Sequence, residues 1–339
     1  FTTTLTTCVV ALTNVVVAGT GYAVATVALA GTSLTISGGS YTGGGSSPAM
    51  RFNGVVDAAS TVTMGGAGLV VTSNGWTVNF EADIAGTVAV TGGTFSAPAV
   101  GKYCLLTFDV TGTVALSDAT FTADSNAIAV RAASTLSGTF TVTNVVATAT
   151  GVTSAWALYF GQLSGATIVV SGGSYTGADH GIIAGTVDAG TTITIGGAGL
   201  TAHSANGKGL SLGSIAGVVT ITAGAFTAAA SQAFAATDVS GTLSVTGASF
   251  ISAGTGFQLG AANTLSGTLS LTNVVATSTA GVTQALEVGL MSGATIKVSG
   301  GAYTGAAMGI RFDGAVDAAT SIEIGGTGLT VDAVSRGLY

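Results

Sequence analysis

Apolar and polar positions alternate in short segments along the whole chain. One phrase, apolar-x-apolar followed by Ser or Thr, Gly or Asn, two further residues and a final apolar residue, recurs as LTISGGSY, VAVTGGTF, VALSDATF, IVVSGGSY, LSVTGASF and IKVSGGAY. The segments WTVNF at 76–80 and GFQL at 256–259 alternate with the same period. A period of two is typical of half-buried strands, and Gly pairs mark turns. No long window combines helical periodicity with capping signals, so the pattern predicts an all-β fold of short strands.

The phrase returns at a nearly constant interval. Its final apolar residue gives thirteen marker positions, which are Val17, Tyr41, Leu69, Phe95, Phe121, Ala147, Tyr175, Leu200, Phe226, Phe250, Ala276, Tyr303 and Leu329. Successive markers lie 24 to 28 residues apart, about 26 on average. A repeat of this length, built from strands and Gly or Asn turns, indicates a β-solenoid whose coils stack like residues on like residues.

A longer repeat is superimposed on the short one. TLSGTFTVTNVVATAT at 135–150 returns as TLSGTLSLTNVVATST at 264–279, and Asn14, Asn144 and Asn273 mark the same place in each copy. Five coils therefore form a super-repeat of about 130 residues. We predict one continuous domain over residues 1–339, with super-repeat copies at approximately 1–130 (partly offset), 131–260 and a partial copy at 261–339.

The coil length and turn pattern resemble those of right-handed parallel β-helices, across all 339 residues. Such helices occur in pectate-lyase-like enzymes, bacterial autotransporter passengers, adhesins and repetitive surface-fibre proteins. The resemblance is architectural and carries no diagnostic motif of one family. It implies a right-handed parallel β-helix of about 13 coils in an extracellular or cell-surface protein.

Composition and charge narrow the classes of partner. Only 6% of the residues are charged, and the net charge of −7 argues against nucleic acid, which requires a basic stripe. The apolar stretch from Val15 to Leu34 contains Thr, Ser and Gly, and its counterparts in the later copies take in Gln162 and Glu287. We therefore expect a buried strand-rich segment there and no membrane span. Cys8 and Cys104 fall in coils too far apart for a disulfide.

Six aspartates share one place in the repeat, just before the strand phrase: Asp57, Asp83, Asp109, Asp188, Asp238 and Asp317. Asp57, Asp83 and Asp109 follow one another at one constant interval, equal to the average coil, so their carboxylates could form a ladder for a hard cation such as calcium. The alternative is a structural turn, because DIAG, DVTG and DVSG place Asp at the first and Gly at the fourth turn position. Turn chemistry explains both residues and calcium explains only one, so we favour the turn and predict no metal.

Two further positions have structural explanations. Asn14, Asn144 and Asn273 align with glycines of other coils, so we expect turn residues with positive φ. Seven aromatic residues share the marker position: Tyr41, Phe95, Phe121, Tyr175, Phe226, Phe250 and Tyr303. They would stack in the core if this position faces inward, or form a carbohydrate platform if it faces outward. Ala147 and Ala276 interrupt the series, which favours the core.

The sequence offers little for catalysis. GLSLG at 209–213 matches a nucleophile elbow, but it falls where other coils have a strand and lacks the required strand-to-helix turn. His180 and His203 have no consistent acidic and nucleophilic partners in the repeat and are not at metal-ligand spacing. The seven basic residues form no cluster of the kind found in β-helix enzymes. We expect neither an enzyme nor a cofactor.

The two chain termini suggest a mode of assembly. The stretch from Phe1 to its marker Val17 and the stretch from Leu329 to Tyr339 together make up one average coil, so both termini fall at one point of the coil. A second copy placed head-to-tail would continue the coil register. We therefore expect a structural module of an extracellular fibre, which pairs with itself or continues in a longer repeat chain.

Two alternatives remain. One is a ligand-binding solenoid, either an ice-binding protein or a glycan-binding adhesin. The strand-centre position is mixed and ends in Lys297 and Glu323, which disfavours a threonine ice-binding ladder on that face. The other is a polysaccharide-active β-helix enzyme.

Overall fold

The computed structural model describes residues 4–152, 154–281 and 283–339. The chain forms a parallel β-solenoid of about 13 coils with about 26 residues in each, which confirms the predicted fold class. Within the described residues there is no helix, and hence none that could cross a membrane. The expectation of a shared coil register at the two termini involves Phe1, which lies outside these residues.

Each coil contains three strands separated by turns. In one coil these are Thr87–Thr91, Thr94–Ala97 and Leu105–Thr107. Each strand pairs in parallel with its equivalent in the next coil, so Thr87 lies opposite Thr113 and Val88 opposite Val114. Three sheets result, which we name the first, second and third walls in the order in which the chain meets them.

The chain divides into two compact units, an N-terminal unit (Phe1–Val169 and Gly173–Tyr175) and a C-terminal unit (Val170–Gly172 and Thr176–Tyr339). In the N-terminal unit the first wall consists of Val9–Thr13, Ser33–Ser37, Thr61–Gly65, Thr87–Thr91, Thr113–Ser117 and Thr139–Thr143. Its second wall consists of Val16–Ala18, Ser40–Gly43, Val70–Ser73, Thr94–Ala97, Thr120–Ala123 and Val146–Ala149. Its third wall consists of Val24–Thr26, Met50–Phe52, Val78–Phe80, Leu105–Thr107, Ile128–Val130 and Trp156–Phe160. Short corner strands lie at Leu5–Thr6, Leu29–Ala30, Thr135–Leu136 and Gln162–Leu163.

The C-terminal unit repeats this arrangement. Its first wall consists of Thr192–Gly196, Val218–Thr222, Thr242–Thr246, Thr268–Thr272, Thr295–Ser299 and Ser321–Gly325. Its second wall consists of Thr201–Ser204, Ala225–Ala228, Ser249–Ser252, Val275–Ser278, Ala302–Gly305 and Thr330–Ala333. Its third wall consists of His180–Ala184, Leu210–Leu212, Phe234–Ala236, Phe257–Leu265, Gln284–Met291, Met308–Phe312 and Arg336–Leu338. The division between the units falls within two further strands, Thr167–Ser171 and Ser174–Gly177.

The core of each unit consists of inward side chains from all three walls. The seven aromatic side chains at the marker position are all fully buried there. Phe95 and Phe121 stack with ring centroids 4.8 Å apart, and Phe226 and Phe250 stack at 5.0 Å. Parallel strands lie about 4.8 Å apart, so equivalent rings of successive coils meet at nearly the ideal stacking distance. These aromatic residues belong to the core and form no external platform.

The turn between the first and second walls requires left-handed backbone. Asn14, Asn144 and Asn273 have φ of 52°, 52° and 51°. Gly39 takes the following place in its coil with φ of 86°, and a Cβ there would lie 2.2 Å from the carbonyl oxygen of Val15. Only glycine fits so close an approach of two coils.

The six aspartates occupy two different places at the corner after the third wall. Val56, Ile84 and Val110 form the inward bridge ladder of this corner in the N-terminal unit. Asp57 follows its bridge residue, whereas Asp83 precedes its own, so equal spacing along the chain does not put them in one ladder. Coil length varies within the turns, and this shifts the register. Asp57, Asp83 and Asp109 therefore do not form the ladder of three carboxylates that their constant spacing suggested.

Candidate functional site

The outer face of the third wall in the N-terminal unit is recessed into a groove. The middle residue of each short strand points outward, and Asn79, Leu106 and Ala129 lie in register across successive strands. These outward side chains are nevertheless buried, with Asn79 4% exposed. They form the floor of the groove, and Tyr159 is next in register after Ala129.

Two rims shield this floor. Because the strands are parallel, residues that precede them lie along one edge and residues that follow them lie along the other. The first rim is formed by Trp76, Tyr103 and Asn126, each two positions before its strand starts, and by Trp156, which is two positions before Leu158, the residue in register with Ile128. The second rim is formed by residues three positions after the strand starts, and these are Asn53, Glu81, Phe108 and Arg131.

The groove encloses about 810 Å³ and its lining is strongly aromatic. The chain has only two tryptophans, Trp76 and Trp156, and both line this groove. The rings of Trp156 and Tyr159 are 4.6 Å apart and tilted by 48°. Burial, together with the neighbouring Tyr103, raises the pKa of Tyr159. Aromatic walls with a few placed polar groups are typical of small-molecule binding sites.

A polar cluster lies at one end of the groove. Arg51 donates to Glu81 at 2.6 Å, to the Tyr22 hydroxyl at 2.7 Å and to Asn53 Oδ1 at 3.1 Å. The hydrogen bond to Glu81 raises the pKa of Arg51. Asn79 Nδ2 donates to the second oxygen of Glu81 at 2.8 Å. Both oxygens of the Glu81 carboxylate therefore accept hydrogen bonds from the protein.

Two polar atoms of the groove lining lack a hydrogen-bond partner within the described residues, the Trp76 indole nitrogen and Asn79 Oδ1. An unsatisfied buried polar group costs about 1–3 kcal/mol, so native structures rarely keep one without a reason. Both atoms belong to side chains that line one groove, where a bound ligand could supply the missing hydrogen-bond partners.

The C-terminal unit provides an internal comparison. Its third wall has rim positions equivalent to those of the first rim, and in the described part none of them is Trp, Tyr or Phe: they are His180, Lys208, Gln232, Thr255, Gln284, Met308 and Arg336. Its outward ladder continues instead in a polar network, in which Gln258 donates to Glu287 at 2.8 Å and Arg311 lies 3.5 Å from Glu287. The coil can thus be built without aromatic rims, so Trp76, Tyr103 and Trp156 are not needed for the fold.

The residues singled out by the sequence pattern lie elsewhere. Asp57 accepts from the Ser60 hydroxyl at 2.6 Å and from the Gly31 amide, and these bonds lower its pKa. Asp109 and Asp238 accept from backbone amides of the next coil at 2.7 and 2.8 Å, and Asp188 accepts from the Thr191 hydroxyl. Asp83 accepts from a threonine of the next coil and Asp317 from Gly293 and Thr320.

No candidate residue from the sequence lines the groove. The six aspartates serve corner turns, and the described residues contain no group of three His, Cys, Asp or Glu side chains placed to hold a metal. His203 contacts the Thr227 hydroxyl at 2.8 Å, and His180 lies 3.3 Å from Asp179. Cys8 and Cys104 are both free thiols.

The groove was not predicted from the sequence because the alternating pattern was extended into the turn that precedes the strand. WTVNF reads as one strand with Trp76, Val78 and Phe80 on one face, but the strand begins at Val78. Trp76 belongs to the preceding turn and its side chain lies outside. One signal was present, since the two tryptophans and Tyr103 each lie two residues before a third-wall position of the repeat.

Comparison of the chain with protein-family models, curated proteins and solved structures finds no match.

Proposed function

We propose that the chain is a glycan-binding β-solenoid and that the groove of the N-terminal unit is its binding site. The observation that carries this proposal is the aromatic first rim, with Trp76, Tyr103 and Trp156 in successive or nearby coils. Successive coils are about 4.8 Å apart, so Trp76 and Trp156, three coils from each other, span roughly 14 Å along the groove. This length suits a short oligosaccharide, whose rings present apolar C–H faces to aromatic side chains.

The polar groups of the groove suit the same ligand class. Asn53, Asn126 and Ser154 add amide and hydroxyl groups to the aromatic lining. A sugar combines an apolar ring face with hydroxyl groups at its edge, so it requires both kinds of contact from its site. Aromatic surfaces with a few polar side chains for orientation are the usual means of providing them.

The proposed role is binding without turnover. Glu81 is the only carboxylate among the described lining residues, and it is ion-paired with Arg51 at 2.6 Å. Hydrolysis of a glycosidic bond usually requires two carboxylates, one as acid and the other as base or nucleophile. A single, fully bonded carboxylate fits a binding site better than a catalytic one.

Tryptophan fluorescence provides a direct test. Both tryptophans of the chain line the groove, so the entire tryptophan emission reports on this site. Titration with a panel of neutral and charged oligosaccharides should shift or quench the emission for at least one of them. Trp76→Ala and Trp156→Ala should each weaken binding at least about tenfold, equivalent to 1.4 kcal/mol, measured by calorimetry. Trp76→Phe should recover part of the loss.

Val146→Ala is the matched control, because Val146 is an exposed residue on the second wall of the same unit. It should leave both affinity and circular dichroism unchanged. If no oligosaccharide alters the emission, or if both tryptophan variants bind as tightly as the parent protein, the proposal is wrong.

A second candidate is a structural module of an extracellular surface fibre. It is favoured by the in-register pairing of the first-wall strands, for example Thr113–Ser117 against Thr139–Thr143, residue for residue. Further coils of the same kind, in a longer chain or a second copy, could extend such stacking. Electron microscopy of the native material, with immunogold labelling of intact cells, would test both the fibre and its surface location. Dispersed particles, or label confined to the cell interior, would contradict it.

A further inference from the structure

The charge distribution around the groove differs from that of the rest of the chain. Residues 1–169 contain six acidic and three basic residues. The three basic residues are Arg51, Lys102 and Arg131, and all of them lie in or beside the groove. Of the six acidic residues only Glu81 lines it. All basic side chains of this N-terminal segment, whose net charge is negative, therefore lie at one site.

Internal pairing leaves two of these cations uncompensated. Arg51 neutralises Glu81. Lys102 and Arg131 have no carboxylate within ion-pair distance in the part of the chain that the structure describes. Asp124 accepts from the backbone amide of Gly101 at 2.7 Å and does not line the groove, and even with its charge counted three cations stand against two carboxylates. The groove therefore carries a positive excess.

Aromatic rings hold both free cations in place. Lys102 Nζ lies 4.6 Å from the ring centroid of Trp76 on the first rim, and Arg131 Cζ lies 4.6 Å from that of Phe108 on the second. Stacking fixes the plane of a guanidinium while its N–H edge stays available. That edge forms two parallel hydrogen bonds with a carboxylate or a similar oxyanion. Arg131 thus lines the ligand space itself, and Lys102 adds a second positive charge next to it, against Trp76 of the first rim.

We infer that the groove selects an anionic oligosaccharide, one with carboxylate or sulfate groups on its rings, over its neutral counterpart. This inference rests on the proposed function and specifies its ligand class. Arg131 is the specificity-determining residue for the anionic group, and Lys102, held against Trp76, supports it at longer range. The aromatic rim supplies the contact with the ring faces that neutral and anionic sugars share.

A set of ligands with one backbone tests the inference. Cellotetraose, its C6-carboxylated form and its C6-sulfated form differ only in charge and in the anionic group. Affinity for each is measured by tryptophan fluorescence and calorimetry at about 50 and about 500 mM salt, since salt screens exposed charges over a few ångströms at the higher concentration. We expect at least one anionic form to bind about tenfold or more tightly than cellotetraose at low salt, and high salt to remove most of that difference.

Variants of the two cations assign the preference to residues. Arg131→Gln should lower affinity for the preferred anionic form at least about tenfold, the low end for a hydrogen bond to a charged group, and lower affinity for cellotetraose by a clearly smaller factor, because Arg131 also lines the groove. Lys102→Gln should have the same sign and a smaller effect. Arg131→Lys keeps the charge but loses the planar fork, so it should restore only part of the affinity.

The outcomes separate the two proposals. Equal binding of the neutral and anionic forms would overturn the charge selectivity and leave glycan binding intact. No binding of any of the three, together with silence across the wider panel, would overturn both. An anionic preference that persists in Arg131→Gln and in Lys102→Gln would refute the assignment to these cations. Preference for the carboxylated or for the sulfated form identifies the anionic group.

Discussion

Truncation of Phe250 to alanine tests how the core of the C-terminal unit is stabilised. Phe250 is fully buried at the marker position of the second wall. Its ring stacks on Phe226 at 5.0 Å and meets Phe234 and Phe257 edge-on at 5.7 and 5.1 Å. It therefore joins the aromatic ladder of the second wall to a stacked pair on the third, Phe234 and Phe257, which are 4.2 Å apart.

The expected cost follows from these contacts. A buried Phe→Ala change typically costs about 3–5 kcal/mol, because the lost transfer free energy adds to that of the remaining cavity. Aromatic pairs contribute about 0.5–1.5 kcal/mol beyond buried area, and Phe250 takes part in three of them. We expect Phe250→Ala to lower the free energy of unfolding of the surrounding coils by about 4–5 kcal/mol. In the next coil Ala276 occupies the position opposite Phe250, so the coil tolerates alanine at this position. The cost of Phe250→Ala therefore comes from the neighbours that pack around the Phe250 ring.

Hydrogen exchange is the suitable assay, since solenoid coils can open separately and a single unfolding free energy then has no clear meaning. Amides of residues 225–259 should lose most of their protection in Phe250→Ala, and those of the N-terminal unit should keep it. Ile251→Ala is the control, because Ile251 is adjacent in sequence but 41% exposed, and it should cost less than about 0.5 kcal/mol. A loss below about 1 kcal/mol for Phe250→Ala would refute the packing argument.

Three further outcomes are expected. Asp83→Ala removes a carboxylate that accepts from the Thr111 hydroxyl at 3.1 Å and should cost about 0.5–1.5 kcal/mol of stability. Calcium should affect neither the parent protein nor the variant, and stabilisation of the parent alone by calcium would contradict this. Hydrogen bonds from Thr320 and Gly293 lower the pKa of Asp317 from 3.8 to about 2. The stabilising effect of Asp317 should therefore be full above pH 4 and be lost as the pH falls towards 2. An Asp317→Asn variant with the same acid unfolding transition as the parent protein would refute this. Burial raises the pKa of Cys104 to about 12, so a thiol reagent at pH 8 should modify half-buried Cys8 first, and equal rates would show that this coil opens readily.

Much of the fold could be predicted from the sequence because its determinants are local. Alternation with a period of two identifies each strand and its inward face, and Phe95 and Phe226 are buried as that pattern requires. Asn144 adopts positive φ at the turn where other coils use glycine. The nearly constant repeat length then gives the coil, since each strand must pair with its equivalent one coil later.

The sequence did not predict which residues of successive corners lie next to each other. Val56 and Ile84 are paired, whereas Asp57 and Asp83 are not, although the two aspartates are closer together along the chain. Turns absorb extra residues without disturbing the strands on either side. Spacing along the chain therefore does not fix which corner side chains become neighbours.

From the sequence alone it follows that this chain is all-β and that it coils at a regular interval, and the pattern favours an inward position for the aromatic marker side chains. That Trp76, Tyr103 and Trp156 form one rim, and that Arg131 lies across the floor from them, is visible only when the coils are stacked. The reason is physical. Burial and strand alternation are properties of a few consecutive residues, whereas the groove is assembled from single residues of successive coils, and their alignment depends on where each turn ends and each strand begins.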